Sequence, residues 1–469
     1  MSEELRACWS RSKAYRVILT VVLIFAFLRL AMQGVYLGML LFPQLGLLGG
    51  TPDWVGNEEG MVPADLQIYL DAAGHFKNRD GLYLQGSLVR LEDHYPYAPA
   101  FAFAFVPFLW LSPEAVTVIH TFLHIAAYAL LYVTWGRIFD RLGLRSAKTM
   151  LAWTLPVWLL FSAFWGDLAY LNIYLIMTLI GSLFIEAVVN ERLGLAVLWL
   201  SVIVQIKPHW AFAAVVPLLL GRYRFFLKLL GLTLVVYLAV MGALMTIAGP
   251  EYICHQYVDY VQFLGRLSRD FPWRGPDAAF LGYNHSIKQT VLYLLGVGPK
   301  AMRLADLVKL FLLLPLGWVS LRSLLNPVDR AGYTVPMLSL DLVFALYLGA
   351  FIWLDMVWEV SLGVVIFPYL LATTAGRGRR VLLWTVFLPY VLVDLWQAIS
   401  FAVWGMDVIA PGPYILTDPS LYAPMMMIVI VTFYALLLTR LWRSVRGRAV
   451  STCDLKTPDI LGGYRATGR

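Results

Sequence analysis

Residues 64–73 read Ala-Asp-Leu-Gln-Ile-Tyr-Leu-Asp-Ala-Ala, inside a segment, 43–114, that differs from the rest of the chain. This segment holds nine acidic residues (Asp53, Glu58, Glu59, Asp65, Asp71, Asp80, Glu92, Asp93 and Glu114) against three basic ones (Lys77, Arg79 and Arg90). It follows a first long apolar run, near 17–42, and further apolar runs follow it. Within it, Leu66, Tyr69, Leu70, Ala73 and Phe76 recur at helical spacing, which predicts an amphipathic helix over 64–79. Pro63 suits a helix start, and Asp65 falls in the first turn, where the helix dipole favours a carboxylate. Membrane helices carry little chemistry unless a loop brings a polar group to the boundary. The segment is therefore where a reactive carboxylate is expected.

Composition sets the frame. Of 469 residues, 60% are hydrophobic and 14% charged, against about 25% charged in ordinary soluble domains. Runs of about 20 apolar residues, long enough for a ~30 Å hydrocarbon core, recur down the chain. The expected fold is all-α, a polytopic bundle of about twelve transmembrane helices. The net charge of +7 calls for no nucleic acid, because cytoplasmic loops carry excess Lys and Arg. Cys8, Cys254 and Cys453 are too few and scattered for a disulfide framework or metal cluster.

Charge placement gives an orientation. Arg6, Arg11, Lys13 and Arg16 put residues 1–16 in the cytoplasm and the 43–114 loop outside. Residues 98–111 are apolar but short, with Pro99 and Pro107, and suit an interfacial or re-entrant segment. If they crossed, the cluster Arg137, Arg141, Arg145 and Lys148 would lie outside. Spans are then expected near 17–42, 115–136, 149–165, 169–189, 193–206, 209–221, 225–248, 301–321, 335–354, 357–374, 381–404 and 421–441. The spans 193–206 and 209–221 meet at Lys207-Pro208 as two half-helices. A second large outer loop covers 249–300, and 442–469 forms a basic cytoplasmic tail. The bundle as a whole spans 17–441, with both termini cytoplasmic in a multi-pass inner or plasma membrane protein.

Several polar residues stand out against this background, each with a bland alternative. Asp65 is either part of a solvated helix face or a general base for a hydroxyl. Lys207 at the helix break either snorkels or binds a phosphate, helped by His209 or by His285. Asp167 and Asn172, in the polar break 166–172, either form a simple turn or line a ligand. Asp355, Trp358 and Glu359 either sit in an interface belt or bind sugar hydroxyls. His120 and His124 lie at i,i+4 spacing in an apolar helix, where packing or helix–helix hydrogen bonding is the expected role. Arg29 in the first span is expected to snorkel or form an ion pair. There is no Gly-rich phosphate loop, dinucleotide fingerprint, nucleophile elbow or His-Glu-x-x-His.

Taken in order, Asp65-x-x-x-Tyr69, Gly81-Leu82-Tyr83, Tyr95-Pro96-Tyr97-Ala98-Pro99, Ile206-Lys207-Pro208, Asn284-His285-Ser286 and Trp358 form a recognisable series. It resembles the polyprenyl-phosphate-sugar-dependent membrane glycosyltransferases of the GT-C superfamily, and most of all glycosyltransferase family 87, the alpha-mannosyltransferase-like group. The likeness runs from about residue 17 to 440. It departs at Gly166-Asp167, where the family often has Gly-Gln, and at Val360, where it often has histidine. The resemblance implies a catalytic aspartate at Asp65, Lys207 near the donor phosphate, and a polyprenyl-phosphate mannose or similar donor. Tyr69, Tyr83, Tyr95 and Asn284 join Asp167, Asn172, Trp358 and Glu359 as the expected substrate lining. The expected partners are the lipid-linked sugar, a lipid or glycan acceptor and membrane lipids. No cofactor or essential metal is expected. A lipid or small-molecule transporter is the competing reading, motivated by the intramembrane charges Arg29, Glu186, Asp341 and Asp394. A scaffold without chemistry is a third.

Overall fold

In the computed structural model, residues 2–42, 62–83, 95–278, 284–325, 335–404 and 419–445 are described. The acidic positions Asp53, Glu58, Glu59, Glu92 and Asp93, the 405–418 loop, Cys453 and the tail beyond 445 lie outside these residues. The described chain is helical, without a strand: α1 (Ser2–Arg11), α2 (Lys13–Leu41), α3 (Ala64–Asn78), α4 (Pro99–Phe105), α5 (Pro113–Arg141), α6 (Arg145–Trp153), α7 (Leu155–Leu160), α8 (Ser162–Tyr170), α9 (Tyr174–Val189) and α10 (Leu193–Ile206). There follow α11 (Val216–Leu219), α12 (Tyr223–Ala248), α13 (Pro250–Asp270), α14 (Ile287–Leu295), α15 (Pro299–Leu325), α16 (Val335–Trp353), α17 (Gly363–Thr373), α18 (Arg377–Val391), α19 (Val393–Trp404) and α20 (Pro419–Val445).

Six of these helices are long and apolar enough to cross a membrane, within α2, α5, α12, α15, α16 and α20. A seventh is gained if α6 and the 155–170 segment, bent by 53°, count as one span. Other expected spans are shorter or broken, for local reasons. Pro208 has no N–H to continue α10, so 208–215 winds as a 3-10 helix before the single turn of α11. Leu171 takes a left-handed φ of 52° and ends α8. The expected 357–374 helix begins only at Gly363, and the expected 381–404 helix breaks between α18 and α19 at Leu392, three residues after Pro389. The expected 249–300 loop contains α13 and α14.

The amphipathic helix of the first loop is α3, and Leu66, Tyr69, Leu70, Ala73 and Phe76 are all buried on one face. That face packs on α4 and the 3-10 turn Val106–Trp110. Together Pro99–Trp110 spans twelve residues, roughly 20 Å, short of a ~30 Å hydrocarbon core. The intramembrane charges Arg29, Asp394, Glu186 and Asp341 are paired. Arg29 grips Asp394 through two bonds of 2.9 and 2.8 Å. Glu186 takes Arg137 and Arg141, and Asp341 takes Arg440 at 3.0 Å and the Tyr369 hydroxyl at 2.7 Å.

The 3-10 turn after the α10 break is fixed by close packing. Trp210 is buried against α9, where a Cβ built on Gly181 would come 2.8 Å from its ring. Gly181→Ala is expected to lower stability by about 1–3 kcal/mol through overpacking. Gly242→Ala, with open space around it, should not. Paired thermal melts in detergent check this.

Candidate active site

Three interruptions in helices bring the site together. The first is 171–173, between α8 and α9. Asp167 caps α9 by accepting from the Leu175 N–H at 3.0 Å. His124, on α5, lies 2.7 Å from the Asn172 carbonyl and 3.5 Å from the Asp167 carboxylate, and its other ring nitrogen is 2.7 Å from the His120 carbonyl. His124 thus serves hydrogen bonding between helices, while the His120 ring packs against Phe105 and Phe108. Tyr69 of α3 accepts from the Ile173 N–H at 3.2 Å, which ties α3 to this break.

The second interruption is Lys207, the residue that ends α10. Its ammonium lies 3.6 Å from the Tyr174 ring centroid and 4.8 Å from that of Tyr97. Among the described residues no carboxylate comes within 4.0 Å of it.

The third is 354–362, between α16 and α17. Asn284 clasps it: its amide donates to the Asp355 carbonyl at 2.8 Å, and its oxygen accepts from Val357 and Ser286 N–H groups. The His285 N–H adds a bond to the Val357 carbonyl at 2.8 Å. Ser286 caps α14. Lys288 and Lys309 both bond the Asp355 carboxylate, anchoring the strip to α14 and α15.

These breaks and the start of α3 enclose a cavity of about 300 Å³. Six expected residues line it: Asp65, Tyr69, Asn172, Lys207, Asn284 and Trp358. Tyr97, Tyr170, Tyr174, Leu267 and Phe271 also line it, although they were not among the expected site residues. Tyr97 and Tyr170 lie inside the motifs that drew attention. Leu267 continues the buried face of α13 (Ile253, Gln256, Tyr260, Phe263), a helical pattern hidden by reading 249–300 as a loop. Burial pushes the Asp65 carboxyl up to about 6, while the neighbouring Asn172 side chain and the Lys207 charge pull the other way. Asn172 Oδ1 is buried and has no hydrogen-bond partner among the described residues.

Six expected residues do not reach this cavity. Tyr83 and Tyr95 are buried in an aromatic cluster, with their hydroxyls donated to the Tyr97 and Ala98 carbonyls. Asp167 serves as the α9 cap. Glu359 is buried and accepts from the Tyr390 hydroxyl. His209 lies further round the 3-10 turn, with its ring beside Trp210. His285 is fully buried, and desolvation lowers its imidazole to about 3, so it is neutral at physiological pH and no phosphate cation. Tyr69 and Tyr97 join hydroxyls at 2.9 Å on the cavity wall.

No family model matches this chain, and neither a curated protein nor a solved structure matches it.

The clasp is testable. Asn284→Ala removes three hydrogen bonds and leaves buried backbone groups unpaired, at a cost of about 2–3 kcal/mol. The expected result is a clear drop in melting temperature, measured beside wild type.

Proposed function

We propose that this chain is a membrane glycosyltransferase. In this reading it moves a sugar, mannose by resemblance, from a polyprenyl-phosphate donor to a hydroxyl of a lipid or glycan acceptor. The observation that carries the reading is a single cavity lined by both a desolvated carboxylate and a buried lysine that has no carboxylate within 4.0 Å among the described residues. A carboxylate raised toward neutral pH is suited to general-base work. An ammonium at a helix break suits a phosphate.

The acceptor oxygen attacks the anomeric carbon and forms the new C–O bond. Asp65 takes the hydroxyl proton. The bond from the anomeric carbon to the phosphate oxygen breaks, and its electron pair leaves with the polyprenyl phosphate, whose charge faces Lys207. Attack from the side opposite the phosphate inverts the anomeric centre. Asn172 Oδ1 offers an acceptor to a sugar hydroxyl, and Trp358 and Tyr170, edge to face at 5.8 Å, offer an apolar wall. Lys207 supplies the charge neutralisation that nucleotide-sugar enzymes commonly take from a divalent metal. The broader architecture we propose is the twelve-helix GT-C bundle of glycosyltransferase family 87, with both termini cytoplasmic and the cavity extracytoplasmic.

The transporter reading leaned on Arg29, Glu186, Asp341 and Asp394. Each of these is committed to an ion pair between helices. That is the behaviour of structural charges, and it favours the transferase.

Two outcomes are expected. With radiolabelled polyprenyl-phosphate mannose and a membrane lipid extract, Asp65→Asn should lose about 10²–10⁴-fold in transfer rate. Its melting temperature should hold or rise. The folded-state pKa of Asp65 lies above its ordinary 3.8, so the ionised carboxylate costs the fold and a neutral amide relieves that cost. Unchanged transfer in the variant would remove Asp65 from its role. Wild-type kcat/KM should rise with pH through about 6 as the base ionises. A profile flat from pH 5 to 7, in the range on either side of that value, would contradict the assignment.

A further inference from the structure

We propose that Tyr174 and Tyr97 form an aromatic seat that supports the Lys207 ammonium without a contact ion pair, and that this seat sets the affinity of the cavity for a prenyl monophosphate. This deepens the reading above and rests on the phosphate role it gives Lys207.

The geometry is specific. The Lys207 ammonium lies 3.6 Å from one ring centroid and 4.8 Å from the other, both well inside the ~6 Å reach of a cation–π contact. Both rings are held by structure outside the lysine. Tyr97 shares a hydroxyl–hydroxyl bond of 2.9 Å with Tyr69, packs on Phe101 with centroids 4.8 Å apart, and accepts the Tyr83 hydroxyl at its carbonyl, 2.7 Å away. Tyr174 opens α9, whose next residue is capped by Asp167. The seat is therefore set before any ligand arrives.

Its chemistry differs from that of an ion pair. A buried ammonium needs some compensation for lost water. A carboxylate in contact would supply it, but would cancel the charge and compete with an incoming phosphate. Ring faces attract the cation through their quadrupole and carry no net charge. The anion then meets the lysine charge without displacing a bonded counter-ion. Lys309 shows the contrast: it bonds the Asp355 carboxylate and the Trp353 carbonyl and holds backbone segments together.

The probe is farnesyl phosphate, a prenyl monophosphate without sugar, titrated by calorimetry into the full-length chain in nanodiscs. Tyr174→Leu removes the ring. Tyr174→Phe keeps it and deletes a hydroxyl with no hydrogen bond among the described residues. Trifluorophenylalanine at 174 keeps the shape but weakens the quadrupole, so it reports even where Tyr174→Leu fails to fold. Farnesol, which lacks the phosphate, is the control ligand.

Tyr174→Leu and the fluorinated residue are expected to weaken farnesyl phosphate by about tenfold, with Tyr174→Phe within about threefold of wild type and farnesol unaffected throughout. Wild-type affinity with the fluorinated residue would overturn the seat. So would a Phe variant as weak as Leu, which would assign the effect to the hydroxyl. If Lys207→Met binds farnesyl phosphate as wild type does, the phosphate role itself falls and the seat with it. The expected binding pattern in a protein that transfers no sugar would uphold the seat and overturn the transferase reading.

Discussion

Every backbone group freed when a helix stops inside an apolar bundle needs a partner, and the bundle must supply it from within. This requirement shapes the site. At 171–173 the Asn172 carbonyl takes His124, the Leu175 N–H takes Asp167, and the Ile173 N–H takes Tyr69. At 354–362 the backbone takes Asn284 and the neighbouring His285 N–H. At the end of α10 the Lys207 carbonyl accepts from Trp210 at 3.0 Å. Residues that satisfy one break also form the wall of the cavity between breaks. Asn284 and Tyr69 do both. Support and binding are hard to separate at such a site, because the same side chain fixes the backbone and faces the cavity.

The cavity is electrostatically biased by what surrounds Asp65 and Lys207. Aromatic rings dominate the wall near both groups. Low polarity raises the cost of ionising Asp65, which makes it a proton acceptor rather than an inert carboxylate. The same surroundings strengthen the field of Lys207 across the cavity, since fewer dipoles screen it. A carboxylate in the first turn of α3 gains from the helix dipole, yet its pKa is still raised. Desolvation therefore outweighs the dipole here.

How much of this was legible in the sequence varies by kind of signal. The face of α3 was readable because a 3.6-residue period needs no knowledge of the partner. Lys207 was readable because Pro208 must break a helix. Asn172, Asn284 and Trp358 were readable as polar or amphipathic positions between apolar runs. Tyr83, Tyr95, Asp167 and Glu359 looked equally eligible, and residue type could not show that both tyrosine hydroxyls and one oxygen of each carboxylate were already engaged. The Glu359 partner, Tyr390, is 31 residues away, and the Tyr83 hydroxyl ends on a backbone carbonyl 14 residues on. Such bonds are tertiary facts. Span number is not legible in composition alone: apolar composition marks burial, and segments such as 174–189 and 363–373 are apolar helices shorter than the six long ones.

Charges inside the bundle fall into two physical classes, and the difference separates scaffold from site. Arg29, Arg137, Arg141, Arg440, Lys288 and Lys309 each meet a carboxylate. Removing one partner of such a pair leaves a stranded charge, so these pairs lock helices in register even where the pair itself adds little net stability. Lys207 is compensated differently, by two ring faces and by carboxylates farther than a contact away. An ion pair is a closed interaction, with its charge satisfied and its geometry fixed. A cation on aromatic faces beside a cavity keeps its charge available to an anion entering the cavity. The sequence feature common to both classes is a basic residue among apolar ones. What divides them is whether the fold delivers a carboxylate to the same point, and at Lys207 it delivers tyrosines.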